Sequence, residues 1–211
     1  MAHDFNNLLT VIIANLDRIR KAEAAPDVVR RAAMALDAAN RGAKLSNQLL
    51  SFAREGGARL ETFEVSSLLA GVSELLRQSV GGGVTLVIAP SDPTGLILAN
   101  RDQMEMALLN LAINARGAMG GTGRLEIAAR RLGDVVEIAI TDDGPGIPPA
   151  IRDRLFEPFF TTKPVGQGTG LGLAQVAGAV AQAGGSVRID SPVSGGASFV
   201  ISLPVAAGSP D

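Results

Sequence analysis

The chain has 211 residues, 46% hydrophobic and 19% charged, with a formal net charge of −2 and no cysteine. This composition excludes a disordered segment, a disulfide framework and a thiolate metal site, and it gives no support for a nucleic-acid footprint. No apolar run is long enough to cross a bilayer, and no basic leader runs into a signal-like core, so the chain reads as soluble and without a membrane segment of its own, and the absence of cysteine suits a cytoplasmic setting.

The first stretch is helical by period. Phe5, Leu9, Ile12, Leu16 and Ile19 recur at steps of four and three, with Asp17, Arg18, Arg20 and Lys21 between them. Pro26-Asp27 interrupts the pattern. A second stripe follows in Val29, Ala32, Leu36, Ala39, Ala43, Ser46, Leu50 and Ala53, with heptad-like spacing and small residues that let helices approach closely. Two helices alone cannot bury both stripes. The expectation for residues 1–55 is an α-helical hairpin that becomes a four-helix bundle on homodimerisation. The competing expectation is a hairpin packed on its own chain. Residues 56–59 read as a linker, opened by Gly56-Gly57.

From residue 60 to 205 the pattern is mixed. Ser66 or Ser67 is the expected cap of a helix running through Leu76. Val84 to Ile88 and Leu96 to Ala99 read as strands. Asp102 to Ala118 reads as a helix with Met106, Leu109 and Ile113 inward and Leu108 as a further candidate. Leu125 to Ala129 and Val135 to Ile140 predict a hairpin. Leu171 to Ala183 predicts a helix, and Ser186 to Asp190 and Ser198 to Leu203 predict two closing strands. Helices interspersed with strand pairs suggest an α/β sandwich, one mixed sheet with helices on one face. Residues 206–211 read as a tail.

Four segments of this second part converge on phosphate chemistry. Asn110 and Asn114, four apart on a helix, share a face inside an otherwise apolar run. Neutral amide oxygens suit Mg²⁺, which shares substrate phosphate oxygens and keeps waters; ordinary surface or capping asparagines are the bland alternative. Asp142-Asp143-Gly144-Pro145-Gly146 follows a strand. There a carboxylate can accept from an adenine amino group and glycines let backbone approach the ring, although the same residues also make a plain turn. Gln167-Gly168-Thr169-Gly170-Leu171-Gly172-Leu173 leads into a helix, an arrangement whose backbone N–H groups hold anions. Between the two glycine loops, Phe156-Glu157-Pro158-Phe159-Phe160-Thr161-Thr162-Lys163 reads as a lid, or as a loop anchored to the core by its aromatics, or both.

In their order these segments resemble the N, G1, F and G2 boxes of the sensor histidine kinases of two-component signalling, and Ala2-His3-Asp4-Phe5-Asn6-Asn7 resembles their H box of the His-Asp-Phe-Asn-Asn subtype. The resemblance runs from His3 to about Pro204. It implies a dimerisation and phosphotransfer hairpin followed by a Bergerat-type domain that binds ATP and Mg²⁺. By the same resemblance Asn114 is a main Mg²⁺ ligand with Asn110 assisting, and Asp142 reads the adenine amino group. Gly144 and Gly146 shape the pocket. Gly168, Gly170 and Gly172, with Thr169 and Leu171 between them, wrap the phosphates beneath a lid that contributes Phe159 and Lys163.

The chain's single histidine, His3, precedes the stripe position Phe5 by two and so faces away from the buried seam. Asp4 is adjacent and acidic, and Asn7 lies one turn on, on the face of His3. The resemblance assigns His3 as phosphoryl acceptor, Asp4 as base for autophosphorylation and Asn7 to phosphatase activity. It also implies a partner: the aspartate of a response-regulator receiver domain on a separate chain, docking around Ser46, Leu49 and the face of Asn7. Two departures from the pattern stand out. Only Met1 and Ala2 precede His3, as in a shortened or minimal kinase. Gly117, preceded by Arg116, stands where many such kinases carry a lysine; Arg116 is the candidate for the missing charge. The alternatives to a kinase are a phosphorelay adaptor that has lost ATP binding and a related Bergerat-fold ATPase.

Overall fold

The computed structural model describes residues 12–17, 19, 26–30, 32–33, 35–36, 39, 59–90, 94–163, 169–190 and 195–207. The chain divides into two units, Met1–Ala58 and Arg59–Asp211. In the first, residues 12–17 and 26–30 are helical, Ala32 and Ala39 are buried, and Ile12, Ile19 and Val28 are 47%, 41% and 46% exposed. His3, Asp4 and Asn7, and most of the expected hairpin, lie outside the described residues.

The second unit is an α/β sandwich. Its elements in order are β1 (Glu61–Glu64), α1 (Val65–Val80), β2 (Val84–Pro90), β3 (Leu96–Ala99), α2 (Arg101–Ala118), β4 (Gly123–Leu132) and β5 (Val135–Asp142). A 3₁₀ turn (Pro149–Arg154), α3 (Gly172–Gln182), β6 (Ser186–Asp190) and β7 (Ala197–Pro204) follow. The main sheet has the order β2-β4-β5-β7-β6. Only β2 and β4 run parallel; the other neighbours are antiparallel. β1 and β3 form a small separate antiparallel sheet.

Alternation along β4 and β5 makes the sheet two-faced there, whereas β7 is buried on both sides over residues 197–201. Leu125, Ile127 and Ala129 of β4, Val136, Ile138 and Ile140 of β5, and Phe199, Ile201 and Leu203 of β7 are all buried. They meet Val65, Leu68, Leu69, Val72, Leu76 and Val80 of α1, Leu108, Leu111 and Ala115 of α2, and Val176 and Val180 of α3 in one core. On the other face Glu137 accepts from Arg188 Nη1 at 2.7 Å and Arg130 Nη2 at 3.0 Å, bridging three strands. The Arg188 hydrogen bond is the main cause that holds the Glu137 carboxyl below the usual glutamate range, against the opposing effect of burial. Its contribution to stability is present above the ordinary glutamate range and is lost as pH falls through the lowered value.

Three expectations change. Met106 is half exposed, whereas Leu108 is buried as expected and Leu109 and Ile113 are half-buried; Met104, Ala107, Leu111, Ala112 and Ala115 complete the buried face, small residues there allowing close packing. Neither serine caps α1: Glu64 is the cap residue without a side-chain bond. The free Ser66 N–H is instead taken by the fully buried Thr94 Oγ1 at 2.9 Å, 28 positions along the chain, while Ser67 Oγ donates back to Glu64 O. The four-residue β1 and the 3₁₀ turn are additions to the predicted elements. α2 has a true cap, the Asn100 side chain accepting from Gln103 N at 2.8 Å.

Two substitutions test this packing in opposite directions. Leu111→Ala empties a site that is 1% exposed and lowers stability by about 2–5 kcal/mol. Gly178→Ala, inside α3 with nothing within 4 Å of the added Cβ, raises it by roughly 0.5–1 kcal/mol. Denaturant unfolding followed by helical circular dichroism measures both.

Candidate functional site

β5 ends in a carboxylate on its apolar face. Val136, Ile138, Ile140 and Asp142 alternate inward, so Asp142 is only 6% exposed. Its Oδ1 accepts from Gly144 N at 2.9 Å and from Ala197 N at 3.3 Å. Among the described residues nothing donates to Oδ2. Burial, the largest cause, pushes the Asp142 carboxyl above the ordinary aspartate range; the two N–H groups pull it back, and the charge of Asp143 adds to the rise. A buried carboxylate with one oxygen held and the other open suits a ligand N–H donor.

The walls around it need glycine. Gly196 has φ +83°, donates its N–H to Gly144 O at 2.8 Å, and a Cβ there would run into Asp142 O. Gly144 leaves only 2.8 Å between an added Cβ and Asp142 Oδ1, and Gly146 only 2.9 Å to Gly196 O. Met119 and Ile147, half-buried beside the core, supply apolar surface next to these glycines. Gly196 was not among the expected site residues. Its signal is the Gly195-Gly196 pair before β7, which became interpretable only once β7 was placed against β5 through Asp142 and Ala197.

On α2, Asn110 and Asn114 lie one turn apart, both half-buried. Asn110 Nδ2 donates to Gln175 Oε1 of α3 at 3.2 Å. Gly172 packs on the same carboxamide, its Cβ position 3.6 Å from Asn110 Cγ. Among the described residues the Asn114 carboxamide has no hydrogen-bond partner, and no three of His, Asp and Glu cluster. Two neutral amide oxygens without a carboxylate cage fit a hard cation that takes its remaining ligands from phosphate and water, as Mg²⁺ does.

The segment 156–163 divides by residue. Phe156 packs edge-on against Phe199, with ring centroids 6.4 Å apart, and so anchors the segment to the core. Phe160 lies under Arg154 at 4.4 Å. Phe159 is 66% exposed with φ +68°, an unusual conformation for a non-glycine residue. It is held by its N–H bond to Gly170 O at 2.9 Å, and a Cβ on Gly170 would strike the Phe159 backbone. This segment is thus stitched to the glycine loop. In that loop Leu171 is buried and its N–H donates to Thr169 Oγ1 at 3.4 Å, while Gly168 lies outside the described residues. Lys163 Nζ lies 3.3 Å from where a Gly117 Cβ would sit. Arg116 instead donates to Ser79 O, so the cation beside Gly117 is Lys163 and not Arg116.

The model of one protein family, described as histidine kinase-, DNA gyrase B- and HSP90-like ATPase, matches residues 99–207. The sensor kinase CckA of Brucella abortus (strain 2308) is 38% identical over 97% of this chain and 23% of its own length. The sensor histidine kinase ZraS of Escherichia coli (strain K12) is 31% identical over 97% of this chain and 44% of its own. Full-length ShkA, solved in complex with AMPPNP, superposes with a TM-score of 0.80 at 28% identity, covering 99% of this chain and 45% of that one. The chain therefore spans less than half the length of these relatives.

Gly196→Ala forces a side chain into a left-handed conformation and against Asp142 O. Stability falls by about 1–3 kcal/mol in thermal unfolding.

Proposed function

This chain belongs to the histidine kinase-, DNA gyrase B- and HSP90-like ATPases, and we propose that it is an ATP-dependent protein-histidine kinase that phosphorylates His3 and passes the phosphoryl group to the aspartate of a response-regulator receiver domain. The observation that carries the nucleotide half is the buried Asp142 carboxylate, with one oxygen held by Gly144 and Ala197 and the other open beside a glycine wall. Support for the kinase half is that the similarity to sensor kinases runs over 97% of the chain and is not confined to the ATPase-like part.

In this reading residues 1–55 form the dimerising phosphotransfer hairpin, 56–59 the linker, 60–205 the ATP-binding domain and 206–211 a tail. The stripe residues Ile12 and Ile19, 47% and 41% exposed in one chain, supply apolar surface for a second copy. Asp142 accepts the adenine amino group. Asn114, assisted by Asn110, would hold Mg²⁺, which when bound offsets phosphate charge. The glycine loop and Lys163 face the phosphates, and the lid with Phe159 closes over them.

A ring nitrogen of His3 attacks the γ-phosphorus. The P–N bond forms as the bond to the bridging oxygen breaks, ADP leaves, and Asp4 takes the imidazole proton. Transfer to the receiver exchanges that P–N bond for an acyl phosphate. Asn7 orients the water that later hydrolyses it.

Incubation with γ-labelled ATP and Mg²⁺ tests the reading. Acid-labile, base-stable label is expected on the wild type and absent from His3→Ala and Asn114→Ala. ATP turnover that persists in His3→Ala with no phosphoprotein would move the chain to the ATPases, and absence of ATP binding would make it a phosphorelay adaptor.

The adenine contact carries its own pH signature. An N–H donor favours the ionised carboxylate, whereas burial favours the protonated one. The Asp142-dependent part of ATP affinity is therefore full above the raised value and is lost as pH falls through it, beginning above the ordinary aspartate range. Asp142→Asn turns an amide nitrogen toward the adenine amino group, weakens binding roughly 10- to 100-fold at neutral pH and flattens that profile, as calorimetric titration would read.

A further inference from the structure

The two ends of an asparagine carboxamide have nearly the same shape and opposite hydrogen-bonding character. Only the oxygen can serve a cation, so an asparagine ligand needs something that decides which end faces the ion. For Asn110 the candidates are few. Its Nδ2 donates to Gln175 Oε1 at 3.2 Å, and the bare face of Gly172 lies against its Cγ. With the nitrogen committed to α3, the oxygen is left for the ion. Turning the Asn110 amide alone, with Gln175 unturned, would set two acceptor oxygens against each other and lose a hydrogen bond worth on the order of tenfold in population.

We infer that Gln175 is a positioning residue for the metal site: it holds Asn110 Nδ2 from the helix that follows the glycine loop, and so presents Asn110 Oδ1 to Mg²⁺. The inference rests on the proposed nucleotide site. Asn110 stands on α2, whereas Gln175 stands one turn into α3, three residues after Gly172 closes the phosphate loop. The residue that orients the metal ligand is therefore carried by the segment that receives the phosphates. Mg²⁺ and phosphate then favour the same placement of α3 against α2, and each is bound more tightly in the presence of the other. Asn114 has no such partner among the described residues, so of the two carboxamides Asn110 is the one oriented from α3.

The test is ATP binding to the full chain by calorimetry, in EDTA and across a Mg²⁺ series, for wild type, Gln175→Met, Gln175→Glu and Asn114→Ala. Gln175→Met keeps the volume and removes the acceptor. It should raise the Mg²⁺ concentration for half-maximal effect roughly tenfold while affinity in EDTA stays within about twofold. Gln175→Glu can only accept, so it should keep the wild-type midpoint or lower it. An unchanged midpoint in Gln175→Met overturns the inference. So does a loss of equal size with and without Mg²⁺, because that marks a merely structural role. If Asn114→Ala also leaves the Mg²⁺ dependence intact, or the wild type has none, the nucleotide reading itself has failed. A normal Asn114→Ala loss beside an inert Gln175→Met rejects the positioning role alone.

Discussion

A carboxylate placed on the apolar face of a sheet is costly unless its surroundings answer it, and Asp142 sets that demand for this unit. Strand alternation leaves no other direction for it, since Val136, Ile138 and Ile140 precede it on the same face. Two backbone N–H groups, from Gly144 and Ala197, satisfy one oxygen. For both to arrive, the chain after β5 must fold back at once and β7 must start directly alongside. That crowding is what removes side chains at positions 144, 146 and 196. Pocket shape, glycine placement and the raised pKa of Asp142 all follow from one alternation rule meeting one acidic residue.

A second constraint runs between helices. α2 and α3 pack directly on one another, and both bury small residues: Ala107, Ala112 and Ala115 on α2, Ala174 and Ala179 on α3. Close approach lets Gly172 and Gln175 touch Asn110. The polar contact therefore depends on a small residue beside it: a side chain at Gly172, whose Cβ position lies 3.6 Å from Asn110 Cγ, would crowd the Asn110–Gln175 pair.

Much of the fold was readable because its signals were local. β6 is legible to the residue, and the hairpin of β4 and β5 is legible from its alternating or apolar runs, only its length being understated. The inward face of α2 was misread at Met106 because apolar residues surround that helix and alanines, weak in any hydrophobic count, occupy the inward positions. The cap of α1 was missed because Thr94 supplies it from a distant segment. The glycine loops were readable since close backbone approach demands glycine whatever the tertiary context. Gln175 and Gly196 were not, as their roles exist only after α3 meets α2 and β7 meets β5. Lys163 is legible as a charge between the glycine loops, while its place beside Gly117 exists only in the folded chain.

The pairing of Asp142 with Ala197 also has a temporal side. β7 is the last strand of the unit, and both Gly196 and the Ala197 N–H belong to its threshold. A chain still being synthesised holds α2, β5 and the phosphate loop well before β7 emerges, yet the half-built recess has an unanswered carboxylate. On the proposed reading, adenine recognition by Asp142 would wait until the final strand docks, and a C-terminally clipped chain would lack it.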